Sequence, residues 1–247
     1  MPLIEGAAPE SHEGGPVGIL LIHGFTGSPK SMKPWAKAAV ERGYTTAVPR
    51  LPGHGTSWQE MNRTRWTDWY AEANRALDEL IAKCDTVFVF GMSMGGSIAL
   101  RMAEERGDDI AGIALVNPAV FTKRPDRFLL PYLQRVVPAF PGISNDIKKP
   151  DQDEGAYSKI PLKAAYSLTE LWSQTKDNLG KIHLPIIVFT SADDHVVEPE
   201  NSEYIMEHVN STDRTQIILA DSFHVATLDN DADEIFSESL NFVERLT

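Results

Sequence analysis

One serine in the chain sits where its hydroxyl can act as a nucleophile. Gly91-Met92-Ser93-Met94-Gly95-Gly96 follows an apolar run, Asp85 to Phe90, and opens a helical stretch, Gly95 to Arg106. A sharp strand-to-helix turn lifts a hydroxyl above the strand's carboxyl end. It leaves no room for side chains two residues to either side, and both of those positions are glycine. The same turn aims the unpaired amides of a helix N-terminus at negative charge developing beside the serine. The chemistry this supports is acyl transfer, provided that a base lies within hydrogen-bond reach of the hydroxyl.

Seven histidines compete for that role. His12 lies in an acidic, Gly/Pro/Ala-rich N-terminal stretch that reads as disordered, and His183 and His208 read as surface or helix residues. His23 and His54 stand beside glycines in loops at the edge of the sheet, where a structural role is the default. His224, in Asp221-Ser222-Phe223-His224-Val225-Ala226, follows the last predicted strand, and in a Ser…acid…His chain order that loop is where the base belongs. The acid then falls between Ser93 and His224. Ser191-Ala192-Asp193-Asp194-His195-Val196-Val197-Glu198 leaves a strand, and Asp193, Asp194 and Glu198 are all candidates for orienting the imidazole. Spacing alone does not separate Asp193 from Asp194. Two backbone donors are needed for the oxyanion: Met94 N–H follows the nucleophile, and Phe25 N–H lies in the His23-Gly24-Phe25-Thr26-Gly27 loop after the first predicted strand.

The elements that must hold these residues follow from hydrophobic patterning. Val17 to Ile22, Tyr44 to Val48, Asp85 to Phe90, Gly112 to Val116, Pro185 to Thr190 and Thr215 to Leu219 read as strands. Ser31 to Arg42, Asp68 to Lys83, Gly95 to Arg106, Glu200 to Val209 and Asp231 to Arg245 read as helices. Strands alternating with helices predict an α/β fold with a mostly parallel sheet covered on both faces. The spacing breaks at 118–184, between consecutive predicted strands. Pro125, Pro131, Pro138 and Pro141 limit its first half to short helices, whereas Pro161 to Lys181 has good helical spacing. Residues 118–184 are therefore read as a cap inserted into a core of 1–117 and 185–247.

Of 247 residues, 42% are hydrophobic and the net charge is −12, a balance that disfavours nucleic acid as a partner. Cys84 is the only cysteine, which excludes an intramolecular disulfide and a Cys-rich zinc site. It is read as a small core residue. No secretory signal or membrane span is apparent, so the protein is read as cytoplasmic.

Five stretches together resemble the bacterial monoacylglycerol lipases and related small carboxylesterases of the α/β-hydrolase superfamily. They are His23-Gly24-Phe25-Thr26-Gly27, Pro49-Arg50-Leu51-Pro52-Gly53-His54-Gly55-Thr56, Gly91 to Gly96, Asp194-His195-Val196-Val197 and Ser222 to Asp229. The resemblance runs from about Gly15 to the C-terminus. It implies the α/β-hydrolase fold and a triad of Ser93, Asp194 and His224 with Phe25 and Met94 as oxyanion donors. It implies Glu154 and Ile143 as contacts of a glycerol head group. The implied reaction is hydrolysis of a small-molecule ester, with monoacylglycerols as substrate, no metal or organic cofactor, and at most transient contact of the cap with a membrane surface. A broad short- or medium-chain carboxylesterase or thioesterase is the alternative enzyme, and a ligand-binding protein lacking a triad member the non-catalytic one.

Overall fold

Each buried strand alternates its side chains between two hydrophobic layers, and that alternation builds the molecule. Leu20, Ile22, Val87, Val89, Ile113, Leu115, Ile186 and Val188 face one layer, whereas Ile19, Leu21, Phe88, Phe90, Ala114, Val116, Ile187 and Phe189 face the other. The computed structural model describes residues 2–247.

Seven strands form the main sheet: β1 (Glu10–His12), β2 (Val17–Ile22), β3 (Thr45–Val48), β4 (Thr86–Met92), β5 (Gly112–Val116), β8 (Ile186–Ser191) and β9 (Arg214–Leu219). Their spatial order is β1-β3-β2-β4-β5-β8-β9, parallel except for β1 against β3. β6 (Ala139–Pro141) and β7 (Lys159–Pro161) pair separately as an antiparallel ribbon. The helices are α1 (Lys33–Glu41), α2 (Trp58–Met61), α3 (Trp66–Ile81), α4 (Met94–Arg106), α5 (Leu130–Leu133), α6 (Leu162–Asn178), α7 (Glu200–His208) and α8 (Ala232–Leu246). Helices α3, α4, α6 and α7 cover one face of the sheet, and α1 and α8 the other.

From β2 the chain crosses to β3 on one side, and from β4 to β5 on the other. A crevice between strands that diverge in this way is where ligands sit in open α/β sheets. It lies at the carboxyl ends of β2 and β4, which carry Gly24-Phe25 and Ser93.

The N-terminal stretch is not disordered: residues 10–12 form β1, and His12 pairs with Thr46 at the sheet edge. Cys84 is partly buried and packs against the core. Between β5 and β8, the proline-rich half holds only the four-residue α5, a 3-10 turn and β6. The second half supplies α6, whose Ala164, Leu168 and Leu171 are buried with α3 and α4 side chains. The crossover helix therefore belongs to the sheet's own helical layer, while residues before it reach over the crevice. No helix among the described residues is long and apolar enough to cross a membrane.

Candidate active site

Ser93 caps β4 with φ 55° and ψ −118°, a left-handed backbone that a non-glycine residue adopts only under constraint. The surrounding glycines supply that constraint. A Cβ on Gly91 would lie 2.3 Å from the Gly95 carbonyl oxygen, and one on Gly95 would lie 2.0 Å from the Ile22 carbonyl oxygen. Helix α4 is thus pressed onto the ends of β2 and β4, and only glycine permits it. The Ser93 amide donates to Val116 O at 2.9 Å, which anchors the turn to β5.

The Asp194 carboxylate accepts from His224 Nδ1 at 2.7 Å through Oδ2, and from the amides of Val196 and Val197, each at 2.8 Å, through Oδ1. With Nδ1 donating, Nε2 is the nitrogen left to act as base. Burial pushes the Asp194 carboxyl up, but the charge and hydrogen bond of His224 and the two amides outweigh it, so its pKa lies below the ordinary value. Burial likewise pushes His224 down. The carboxylates of Asp194, Glu154 and Asp146 overcome this and leave its pKa above the ordinary value.

The other acids in this loop are engaged elsewhere. Asp193 has a 69% exposed side chain, 3.5 Å from His195 Nε2. Glu198 accepts from Lys123 N at 2.8 Å and Thr122 Oγ1 at 3.2 Å, holding the chain shortly after β5.

Gly24, Phe25, Thr26, Met92, Ser93, Ile143, Glu154, Ile160, Val196 and His224 line one cavity of about 100 Å³, with Arg124, Asp146 and His195 on its wall. Ser93 Oγ makes no hydrogen bond among the described residues; it opens on the space that His224 also lines. The Phe25 and Met94 amides likewise have no acceptor among the described residues. Phe25 is held in place by the edge of the Trp69 ring, with centroids 5.9 Å apart. Met94 opens helix α4 directly after Ser93, and its side chain is buried in the core.

Glu154 is buried, and its Oε1 accepts from Asn145 N at 3.0 Å while its own amide donates to Asn145 Oδ1 at 3.0 Å. Burial raises its pKa, against the pull of the Asn145 amide and the His224 charge. Ile143 is half-exposed at the cavity mouth.

His23 and His54 are buried below this cavity rather than in it. Nδ1 of His23 lies 3.0 Å from Gly24 O, and Nε2 accepts from Leu51 N at 3.3 Å. This arrangement requires a neutral ring, and burial lowers its pKa to about 4. It ties the Gly24-Phe25 loop to the loop after β3.

Three residues that hold the His224 loop escape sequence reasoning. Asn117, at φ 46°, donates to His224 O at 2.8 Å and accepts from Ser191 N at 2.8 Å. Asp229 is buried and accepts from the amides of Lys148, Lys149, Phe223 and Asn230 at 2.7–2.9 Å. Asp146 is the third. Asn117 directly follows β5, and Asp229 closes the His224 stretch, but the bonds of Asn117 to Ser191 and His224 and those of Asp229 to Lys148 and Lys149 reach residues far away in the chain.

This geometry has relatives. Residues 17–231 match the family model described as serine aminopeptidase, S33. The chain belongs to this family of hydrolases. This S33-family chain is 42% identical to a thermostable monoacylglycerol lipase of Bacillus sp. (strain H-257), over 98% of its own length and 96% of the lipase. It is 26% identical to a carboxylesterase of Bacillus subtilis (strain 168), over 96% of each chain. Among solved structures it superposes, with TM-score 0.96 and 37% identity over 99% of its length and 100% of the other, on one from work on LipS and LipT, two metagenome-derived lipolytic enzymes. The α/β-hydrolase fold expected from the sequence is the fold this S33-family member adopts.

Proposed function

We propose that the protein hydrolyses carboxylic esters, with monoacylglycerols as substrates and glycerol and a fatty acid as products. One juxtaposition carries this reading: Ser93 and His224 share a small cavity with the buried Glu154 carboxylate. A full-length likeness to a monoacylglycerol lipase supports it.

In the proposed reaction, Ser93 Oγ attacks the ester carbonyl as His224 Nε2 takes its proton, and Asp194 stabilises the imidazolium. The Phe25 and Met94 amides bind the oxyanion. The tetrahedral intermediate collapses, His224 protonates the departing glycerol oxygen, and the acyl group remains on Ser93. His224 then takes a proton from water as the water attacks the acyl carbon. It returns that proton to Ser93 Oγ as the second tetrahedral intermediate collapses, releasing the fatty acid and restoring the Ser93 hydroxyl and the neutral imidazole. Substrate brings the hydroxyl into line with the imidazole, since such contacts often tighten only in the complex.

Glu154 accepts hydrogen bonds from the glycerol hydroxyls, and Ile143 covers the head group. A cavity of about 100 Å³ falls below the roughly 300–1,000 Å³ that encloses a drug-sized ligand. An acyl chain must therefore run out between the cap and the crevice. Residues 118–184 act as the cap over the remaining core. Its exposed Phe128, Leu129, Tyr132 and Val136 are the face for transient contact with a lipid surface. A cytoplasmic setting belongs to this proposal too.

The small cavity also favours a second reading, a carboxylesterase or thioesterase of short acyl chains. Comparing kcat/KM across mono-, di- and triacylglycerols and simple esters of graded chain length decides between them. Preference for monoacylglycerols supports the first reading, and a broad short-chain profile the second.

A further inference from the structure

Asp146, in the cap loop between β6 and β7, touches both loops that flank the imidazole. Its Oδ2 accepts from the backbone amide of His224 at 3.2 Å and from that of His195 at 3.3 Å. Its Oδ1 accepts from His195 Nδ1 at 2.9 Å, and its main-chain carbonyl accepts from Val225 N at 3.0 Å. Its side chain is 11% exposed. The preceding residue, Asn145, makes the reciprocal bonds to Glu154. The amides of Lys148 and Lys149 just beyond it are held by Asp229, on the His224 loop. One cap segment, 145–149, thus joins the cavity's buried glutamate to the backbone of the imidazole.

We propose that Asp146 is a positioning residue for this reaction, fixing the His224 loop against the cap and linking it through Asn145 to the Glu154 head-group site. The proposal rests on the Ser93–Asp194–His224 reading. His224 donates from Nδ1 to Asp194, so its ring direction depends on where its backbone stands, and the backbone is held at N by Asp146 and at O by Asn117. Loss of the Asp146 acceptor frees the N side and leaves a part-buried amide without a partner. The charged groups around His224 are Asp194, Glu154 and Asp146; Arg124 is on the cavity wall, and Asp193 and His195 are on the acid loop. Asp146 is one of the carboxylates that raise the His224 pKa, which gives its removal a signature that a purely structural role lacks.

The test measures kcat, KM and the pH profile of monoacylglycerol hydrolysis for the wild type and for D146A, D146N, H195A and S93A. D146A should lose about tenfold or more in kcat with KM within about twofold, because a small displacement of a reacting group is costly. D146N can keep the two backbone bonds through its carbonyl oxygen, while its NH₂ donates to His195 Nδ1 once that ring carries its proton on Nε2. It should recover most of that loss, while the acid limb of kcat/KM moves to lower pH. H195A should lose less than D146A. The proposal is overturned if folded D146A turns over like wild type, if D146N loses as much as D146A, or if H195A matches D146A. Should D146A not fold, D146N decides, and an unmoved acid limb overturns the proposal. S93A isolates the underlying reading: turnover retained in S93A removes the triad itself, whereas a dead S93A beside a wild-type-like D146A removes only the role of Asp146.

Discussion

Asp193 and Asp194 are adjacent in the chain, yet their side chains are 69% and 1% exposed, and only Asp194 meets the His224 ring. This difference predicts that Asp194→Asn cuts kcat by about 10³–10⁴-fold, since an amide no longer holds the productive tautomer. Asp193→Asn should stay within about twofold, as surface substitutions usually do; steady-state rates on one monoacylglycerol check both. The His224 pKa lies above its ordinary 6.5. Only the neutral ring can take the serine proton, so kcat/KM should fall toward acid pH with a midpoint above that value. In Asp194→Asn the residual activity should show a midpoint shifted downward, and a pH–rate profile reads both. As candidates, Ser93 and His224 were legible in the sequence because each lies in a local pattern that the proposed chemistry asks for. The choice between Asp193 and Asp194 was not, because it depends on which carboxylate turns inward to amides only two and three residues ahead. That turn is a property of the folded loop. Asn117, Asp146 and Asp229 were invisible for a related reason: the bonds of Asn117 and Asp146 to the His224 loop, and those of Asp229 to the Lys148 and Lys149 amides, join segments far apart in the chain.

The turn that carries Ser93 is set by elements pressed together, and its glycines are where that pressure is measurable. In Gly95→Ala the new methyl would lie 2.0 Å from a backbone oxygen of β2, so α4 or β2 must move. A loss of about 1–3 kcal/mol in stability is expected, with loss of activity as the elbow shifts. Gly107→Ala, just beyond α4, meets nothing nearer than 3.8 Å. It should be neutral or stabilising by up to about 1 kcal/mol through the unfolded chain. Urea unfolding and ester turnover on the two variants check the contrast. The main strands and longer helices matched the hydrophobic patterning because they bury a face over several residues. Strands β1, β6 and β7 have only three residues each, too few for any period, and exist because a neighbouring strand offers its edge. The strong helical spacing of 161–181 placed α6 correctly, but it did not reveal that α6 packs on the sheet's helical layer.

At the scale of the molecule, an open α/β sheet brings the candidate nucleophile, base and acid to one crevice, and residues inserted between β5 and β8 close over it. In the proposed function the inserted residues act as a cap that distinguishes one ester from another, so selectivity and basic chemistry should separate on mutation. Glu154→Ala should lower kcat/KM for monoacylglycerol by about 10-fold or more, as loss of a charged hydrogen-bond partner does, and lower that for a simple aryl ester less. Parallel assays test this, and equal losses would remove the glycerol site. The proposed reaction requires Ser93 to carry the acyl group. Its most direct test is mass spectrometry of the protein treated with an alkyl fluorophosphonate, with residual monoacylglycerol hydrolysis followed on the same samples. A single adduct on Ser93 is expected, formed in proportion to lost activity and absent from Ser93→Ala. An adduct elsewhere that accompanies the loss, or a fully labelled Ser93 with turnover intact, would contradict it.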